Sequence, residues 1–320
     1  NLESVYWLYN RTGDSFLLDL GRRLFERTAD WTSPILSPDR DRNWAESSFY
    51  HGVNIAMGFR QPGVYYQQAK APALLAAVER NLRQVLDEYG QQPGGTFGAD
   101  ENIRPGKTDP RQGTETCTIV EFMASFESLL RITGDGAWAD RCEEMAFNAL
   151  PAAMTPDLKG LHYLTAPNLI SCDASGEHDF QNSGTLVSYD PWSYRCCQHN
   201  VAFGWPYFAE HLWLATPDDG LAAAIYAPTV VRANVGAGTM VRVKEETAYP
   251  FGGTIELALE TPKDVAFPLY LRLPGWVKEA RLFINGKESG AYESGGAFLR
   301  IERLWKSGDR VKLDFAQPIR

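Results

Sequence analysis

The chain has 320 residues, 44% hydrophobic and 22% charged, which is enough to bury a sizeable core as one large domain or two ordinary ones. The formal net charge of −9 argues against a nucleic-acid or anionic-membrane partner, because either would need a basic face. No apolar run approaches the roughly 18 residues of a membrane span. We therefore expect a soluble chain with neither kind of partner.

The first half of the chain has the periodicity of helices. Apolar residues recur at helical spacing, and short turns such as Arg11-Thr-Gly-Asp14 and Arg131-Ile-Thr-Gly-Asp135 separate the segments. Helix pairs joined by such turns predict a helical toroid or solenoid. The expected helices cover about residues 17–25, 45–59, 63–89 with a break at Pro72, 117–130 and 138–153.

The last third of the chain changes to the pattern of strands. From Leu221 onward, seven short apolar segments alternate with Gly, Pro and Asn-Gly turns, a spacing typical of a β-sandwich. Residues 158–195 are rich in Gly, Pro, Asn and Ser and predict a loop-rich excursion, and residues 200–215 return to a helical pattern. We predict an α+β multidomain protein, with a helical toroid or barrel domain over residues 1–218 and a β-sandwich domain over residues 219–320.

The five cysteines are an odd, sparse set that does not suit a disulfide framework. Glu115 and Cys117 stand two residues apart, and Cys196 and Cys197 are adjacent. Thiolates bind Zn²⁺ well, and a carboxylate can complete a tetrahedral set of ligands. A helix that begins at Cys117 would also lower the pKa of its thiol. The spacing is not that of a zinc finger, so buried packing thiols remain an alternative.

Other polar and aromatic residues are candidates for a cleft. Glu101 lies in a Gly/Pro-rich loop and is either a general acid/base or a solvated loop carboxylate. His51 either contacts a substrate hydroxyl or is a satisfied core histidine, and His199 either supports a metal ligand or caps a helix. Three aromatic residues of the excursion form either a stacking wall for a sugar or a cover over the helices: Tyr163, Trp192 and Tyr194.

Several short motifs follow one another along essentially the whole chain. The most specific combination is Glu115-Thr-Cys117 with the downstream Cys196-Cys-Gln-His-Asn200. The others are Trp7-Leu-Tyr-Asn-Arg-Thr-Gly-Asp14, His51-Gly-Val-Asn54, Gly98-Ala-Asp-Glu101, Arg131-Ile-Thr-Gly-Asp135, Ala146-Phe-Asn-Ala-Leu-Pro151, Tyr163-Leu-Thr-Ala-Pro-Asn168 and Leu271-Arg-Leu-Pro-Gly-Trp276. In this order they resemble glycoside hydrolase family 127 and its relatives, the bacterial enzymes typified by β-L-arabinofuranosidases.

The resemblance implies an (α/α)₆ barrel followed by β-sandwich domains, and a retaining glycosidase that uses a zinc-bound cysteine. On this resemblance Cys196 is the nucleophile and Glu101 the acid/base. The zinc ion is held by Glu115, Cys117, Cys196 and Cys197. A cysteine therefore replaces one of the two carboxylates found in most retaining glycosidases.

The resemblance also places substrate-binding groups. His51 and Tyr163 map to positions that contact the sugar, Trp192 is added from its place just before Cys196, and His199 is expected in the second shell of the zinc site. Gln198 and His199 depart from the smaller or uncharged residues expected there, which leaves the substrate preference open. Family members are longer than this chain, so we expect the first helices of the barrel to be missing.

Two other functions remain open from the sequence. A zinc-stabilised module that binds a glycan or a protein would carry the same ligands without catalysis. A thiol-redox protein is disfavoured by the lack of a Cys-x-x-Cys motif. The opening residues lack the features of a signal peptide and look like the interior of a helix. The sequence therefore does not predict whether the protein lies in the bacterial cytoplasm, in the periplasm or outside the cell. The family resemblance makes L-arabinofuranose the default sugar. Whether the chain forms a homodimer is left open.

Overall fold

A computed structural model describes residues 2–36, 49–104, 106, 112–175, 177–178, 180, 185–188, 190, 192–193 and 195–317. The chain divides into two compact units. The first comprises Asn1–Thr133 with Glu144–Pro206, and the second comprises Gly134–Glu143 with Tyr207–Arg320. The predicted domain boundary between residues 218 and 219 stays a prediction.

The first unit is built mainly of helices. Its helices are α1 (Leu2–Thr12), α2 (Phe16–Arg27), α3 (Gly52–Gly58), α4 (Gln61–Ala69), α5 (Pro72–Tyr89) and α6 (Thr116–Thr133). The predicted break at Pro72 is confirmed. Helix α4 ends at Ala69, the next residue, Lys70, is in the left-handed conformation, and Pro72 begins α5, where its missing N–H is not needed. Residues 45–48 of the second predicted helix lie outside the described residues.

Helix α6 is the core of this unit because most of its residues are buried on every face. Helices α3 and α4 pack against it. The rings of Phe59 and Phe122 meet edge to face, with centroids 5.2 Å apart, and Phe122 is 4.5 Å from Phe126. This packing fixes the first turn of α6, where Cys117 lies.

Short strands lie on either side of α6 in the sequence. Strand β1 (Thr114–Glu115) pairs antiparallel with β3 (Leu164–Thr165), and β2 (Leu161–His162) pairs antiparallel with β4 (Val187–Ser188). The predicted helix over residues 138–153 is instead α7 (Gly136–Glu144), followed by a π-helical turn and a 3₁₀ turn that reaches Ala153.

Helix α8 corrects the predicted helix at residues 200–215. It spans Arg195–Glu210 and therefore begins five residues earlier, with Cys196 and Cys197 in its first turn. Residues Trp213–Ala215 form strand β5 instead, which pairs with β6 (Leu221–Ala223). The aromatic pattern around Trp205 and Trp213 suits either type of element, so periodicity did not separate them.

The second unit is rich in strands. Besides β5 and β6, its described strands are β7 (Thr229–Val235), β8 (Thr239–Thr247), β9 (Thr254–Glu260), β10 (Val265–Leu273), β11 (Ala280–Ile284), β12 (Lys287–Tyr292), β13 (Ala297–Trp305) and β14 (Arg310–Phe315). They form two sheets, in the orders β13-β10-β6-β5 and β12-β11-β14-β9-β8-β7. The fold prediction is confirmed as far as a helical part followed by a sheet-rich part.

Three of these strands were missing from the seven predicted ones. Strand β12 contains Gly290 and mostly exposed polar residues, so it lacks the alternation that reveals a half-buried strand. The turn that leads into it was predicted correctly: Asn285 and Gly286 have φ angles of +52° and +77°, as a tight hairpin requires. Strand β7 and the short β5 are the other two. Among the described residues, no helix has the length and apolar character needed to cross a membrane.

Candidate active site

Two segments of the first unit bring four potential metal ligands together. Glu115 ends strand β1 and Cys117 lies in the first turn of α6, where Thr116 donates its N–H to Tyr163 O at 3.0 Å. Cys196 and Cys197 lie in the first turn of α8. Glu115, Cys117 and Cys197 are buried, whereas Cys196 is exposed.

We call Glu115, Cys117, Cys196 and Cys197 the thiol–carboxylate cluster. Their ligand atoms all lie within 4.8 Å of one another. The Sγ atoms of Cys117 and Cys197 are 3.2 Å apart, and Glu115 Oε1 is 3.4 Å from Cys197 Sγ and 3.7 Å from Cys196 Sγ. All of these cysteines are free thiols, so the short distances are not a disulfide bond.

The donor set of the cluster fits a zinc ion. Three thiols and one carboxylate from two segments suit the tetrahedral coordination and the softness of Zn²⁺. Glu115 Oε2 is buried and has no hydrogen-bond partner among the described residues. A buried carboxylate oxygen without a partner is costly, and a metal ion would remove that cost.

Burial and hydrogen bonding change the acidity of the cluster. Burial, with the nearby charge of Glu101, raises the pKa of Glu115 to about 7. A hydrogen bond from Cys197 lowers the pKa of Cys196 to about 5, and hydrogen bonds with Cys117 and Cys196 raise the pKa of Cys197. Cys196 is thus both the most accessible thiol of the cluster and the one that ionises most readily.

His51 and Glu101 lie beside the cluster. His51 precedes α3, and its Nε2 atom is 2.9 Å from Glu101 Oε2 and 3.9 Å from Glu115 Oε2. The hydrogen bond to Glu101 raises the pKa of His51. Both side chains are partly exposed, so a substrate can reach them. Glu101 was predicted as the acid/base. The structure brings it next to Glu115, a potential metal ligand 14 residues further along the chain.

The predicted aromatic and outer residues are less closely grouped. Tyr163 is buried and packs in the same apolar cluster as Cys117 and Cys197. Trp192 is 70% exposed, and its ring lies 5.0 Å from the guanidinium carbon of Arg195. His199 is exposed, and in the described part of the chain it makes no hydrogen bond to the four ligands. Tyr194 lies outside the described residues.

Sequence reasoning missed the residues that hold the Glu101 loop. Asp100 is fully buried, accepts the N–H of Gly113, and pairs with the guanidinium of Arg104. Arg104 also donates to Gln112 Oε1 at 2.7 Å. The only sequence signal was an acidic residue directly before Glu101, in a loop where a solvated carboxylate was expected.

Comparisons with known families identify the chain. The family described as "Beta-L-arabinofuranosidase, GH127 catalytic domain" matches residues 1–210, and its "GH127 middle domain" matches residues 220–317. Since the first match alone covers more than half of the 320 residues, the chain belongs to glycoside hydrolase family 127 (GH127). A search of curated proteins gives no match.

Solved structures share the fold. A glycoside hydrolase structure aligns over 99% of this chain with a TM-score of 0.80 and 19% identity. A GH127 beta-L-arabinofuranosidase from Geobacillus stearothermophilus T6 aligns over all of it, with a TM-score of 0.75 and 20% identity, and a GH127 beta-arabinofuranosidase aligns over 98%, with 0.72 and 19%. The chain covers 55%, 54% and 51% of those three proteins, so it spans about half of their length.

Proposed function

We propose that the chain is the catalytic part of a retaining glycosidase that holds zinc and uses Cys196 as its nucleophile. The single observation that carries this proposal is the placement of an accessible thiol, Cys196, beside three buried potential ligands, with the carboxyl group of Glu101 at the edge of the cluster. Family membership supports the reaction class.

Glu115, Cys117, Cys196 and Cys197 would hold the ion. Bound zinc keeps thiols deprotonated at neutral pH, which supplies the thiolate that the reaction needs. Burial of Glu115, Cys117 and Cys197 keeps water from three of the four ligands, while the exposure of Cys196 leaves its sulfur open to a sugar.

The residues act in two steps. The Cys196 thiolate attacks the anomeric carbon, while Glu101 gives its proton to the glycosidic oxygen and the C–O bond breaks. The Glu101 carboxylate then takes a proton from water, whose oxygen attacks the same carbon, and the C–S bond breaks to release the thiolate. Two inversions at one carbon retain the anomeric configuration.

His51 and Tyr163 are proposed to contact the sugar, and Trp192 to stack on a more distant part of the substrate. His51 is partly exposed and hydrogen-bonds Glu101, so a sugar that reaches Glu101 meets His51 as well. His199 is proposed to act only at the outer edge of the site. The sugar is proposed to be β-L-arabinofuranose at the end of a plant-type glycan.

The proposal extends to the fold. A helical domain of the (α/α)₆ barrel type over residues 1–218 agrees with the helical first unit, and a β-sandwich domain over residues 219–320 agrees with the two sheets of the second. The match to the catalytic domain ends at residue 210 and the match to the middle domain begins at residue 220, which supports a domain boundary in this region.

One panel tests the function. Zinc is measured in the purified chain, and aryl furanosides and pyranosides are offered to the wild type and to the variants Cys196→Ala and Glu101→Ala. We expect about one zinc ion per chain, turnover of an arabinofuranoside by the wild type, and loss of turnover in both variants.

A zinc-stabilised module without catalysis is the second candidate. Four protein ligands can fill a tetrahedron, as they do in structural zinc sites, whereas most catalytic zinc sites keep one position open. Bound zinc without turnover of any glycoside would favour the module and contradict the proposed enzyme.

A further inference from the structure

The loop that carries Glu101 is attached to the chain on two sides. On one side, Ala99 and Asp100 both donate their backbone N–H groups to Gly113 O, at 2.9 and 2.8 Å. On the other side, Glu101 O accepts the N–H of Gly52 at 2.8 Å. Gly113 stands two residues before Glu115, and Gly52 follows His51. The loop is therefore tied to the segments that present these two site residues.

The side chain of Asp100 strengthens the first attachment. It is fully buried, and its two oxygens pair separately, one with the N–H of Gly113 and the other with Arg104. Arg104 in turn donates to Gln112 Oε1 at 2.7 Å. Ionised carboxylates are seldom buried unless paired, and here the pairing joins the loop to the residues that lead into β1.

The backbone at Asp100 reinforces this interpretation. Its φ angle is +52°, in the left-handed region that asparagine and aspartate adopt more readily than other non-glycine residues. Such a conformation persists when surrounding contacts hold it, and it determines the direction in which the next residue, Glu101, leaves the loop.

We propose that Asp100 is a positioning residue that holds the Glu101 carboxyl in register with the thiol–carboxylate cluster. The inference rests on the proposed function, because the acid/base and the nucleophile of a retaining glycosidase must be placed at the two ends of one bond. A displacement of about 1 Å at such a site costs on the order of a hundredfold in rate. Asp100 touches no substrate and acts through its neighbour.

The test compares Asp100→Asn with the wild type on two β-L-arabinofuranosides that differ only in the leaving group. A methyl glycoside needs protonation of its leaving oxygen, whereas 2,4-dinitrophenolate leaves without it. We expect kcat/KM to fall on the order of a hundredfold for the methyl glycoside and less than about threefold for the dinitrophenyl glycoside. The zinc content should not change, because Asp100 holds no metal.

A second signature separates misplacement of Glu101 from general damage. With the dinitrophenyl glycoside, release of the sugar from Cys196 still needs Glu101 as a base, so kcat should fall. Azide needs no base to attack the same carbon and should restore kcat in Asp100→Asn. The control is Asp87→Asn, which changes an exposed aspartate on α5 and should behave as the wild type on both substrates.

If Asp100→Asn does not fold, Arg104→Gln is the deciding variant. It removes the cation that pairs with Asp100 and leaves the backbone hydrogen bond from Asp100 N–H to Gly113 O in place. If the wild type is active, three results in the deciding variant would overturn the inference. These are equal losses of kcat/KM on the two glycosides, no loss of kcat/KM on either, or loss of bound zinc. Absence of turnover by the wild type would contradict the proposed function, and the inference with it.

Discussion

Two buried polar clusters, one in each compact unit, differ in how completely their groups are paired. In the thiol–carboxylate cluster of the first unit, Glu115 Oε2 has no hydrogen-bond partner among the described residues. In the second unit, Arg272 is fully buried between Asp140 and Glu143, which we call the arginine cluster. There every carboxylate oxygen is paired.

The pairing in the arginine cluster is complete within the unit. Asp140 accepts from Arg272 and, at 2.7 Å, from the N–H of Gly275. Glu143 accepts from Arg272 and, at 2.6 Å, from the hydroxyl of Tyr249. The arginine cluster satisfies its own groups, whereas the unpartnered oxygen of Glu115 lies beside three thiols, where a ligand from outside the chain would satisfy it. The following changes test this difference.

The largest effect is expected at Cys196. Replacing it by alanine removes the proposed nucleophile, so kcat/KM on an aryl arabinofuranoside should fall by at least about 10³-fold. The matched change Cys172→Ala removes a half-buried thiol that does not belong to the cluster and should leave turnover within about twofold of the wild type. Comparable losses in the two variants would contradict a special role for Cys196.

In the arginine cluster we expect a loss of stability instead of activity. Arg272→Met leaves the buried carboxylate of Glu143 and the partly exposed one of Asp140 without their cation. It should lower the free energy of unfolding by about 3–5 kcal/mol, measured by chemical denaturation. Zinc content per folded molecule should not change. The control Arg242→Met breaks the exposed pair with Glu260 and should cost less than about 1 kcal/mol. A zinc loss in Arg272→Met would remove the distinction between the clusters.

Glu245 is a third case, because one of its buried oxygens also has no hydrogen-bond partner among the described residues. Unlike Glu115, it belongs to neither group of potential metal ligands found there. Its other oxygen accepts the N–H of Ala227 at 3.1 Å. Burial raises its pKa from the usual 4.5 to about 8. We infer that protonation, rather than a metal, accommodates this group at neutral pH.

The pH dependence follows from the direction of that shift. Below pH 4.5 the carboxyl is protonated in both states, and stability is lost as pH rises toward the folded pKa of about 8, because only the unfolded chain ionises freely. Glu245→Gln should therefore become more stable relative to the wild type between pH 5 and pH 8, by roughly 3 kcal/mol. The surface change Glu256→Gln is the control, and a pH-independent difference would contradict the protonated state.

The sequence predicted the parts of the site that are local and chemically distinctive. Glu115-x-Cys117 and Cys196-Cys197 stood out because thiols and a carboxylate are typical zinc ligands, although their spacing left packing thiols as an alternative. The helical and sheet-rich parts followed from periodicity. The convergence of the two motifs, 81 residues apart at Glu115 and Cys196, came from the family resemblance, since spacing does not give distances in space.

Contacts between distant segments escaped prediction. Arg272 meets Glu143 across 129 residues, and neither residue has a local signal for burial. The start of α8 was placed five residues too late, because the residues before it are loop-like and hide the first helical turn. Asp100 escaped because its role depends on Gly113 and Arg104, which fold back onto it.

Mass spectrometry can detect the covalent bond that Cys196 is proposed to form with the sugar. The chain is mixed with an excess of a dinitrophenyl arabinofuranoside, quenched with acid during turnover, and digested. We expect the mass of one pentosyl group on the peptide that contains Cys196. A pentosyl group on the peptide that contains Glu101, or rapid turnover with no sugar on any peptide, would contradict it.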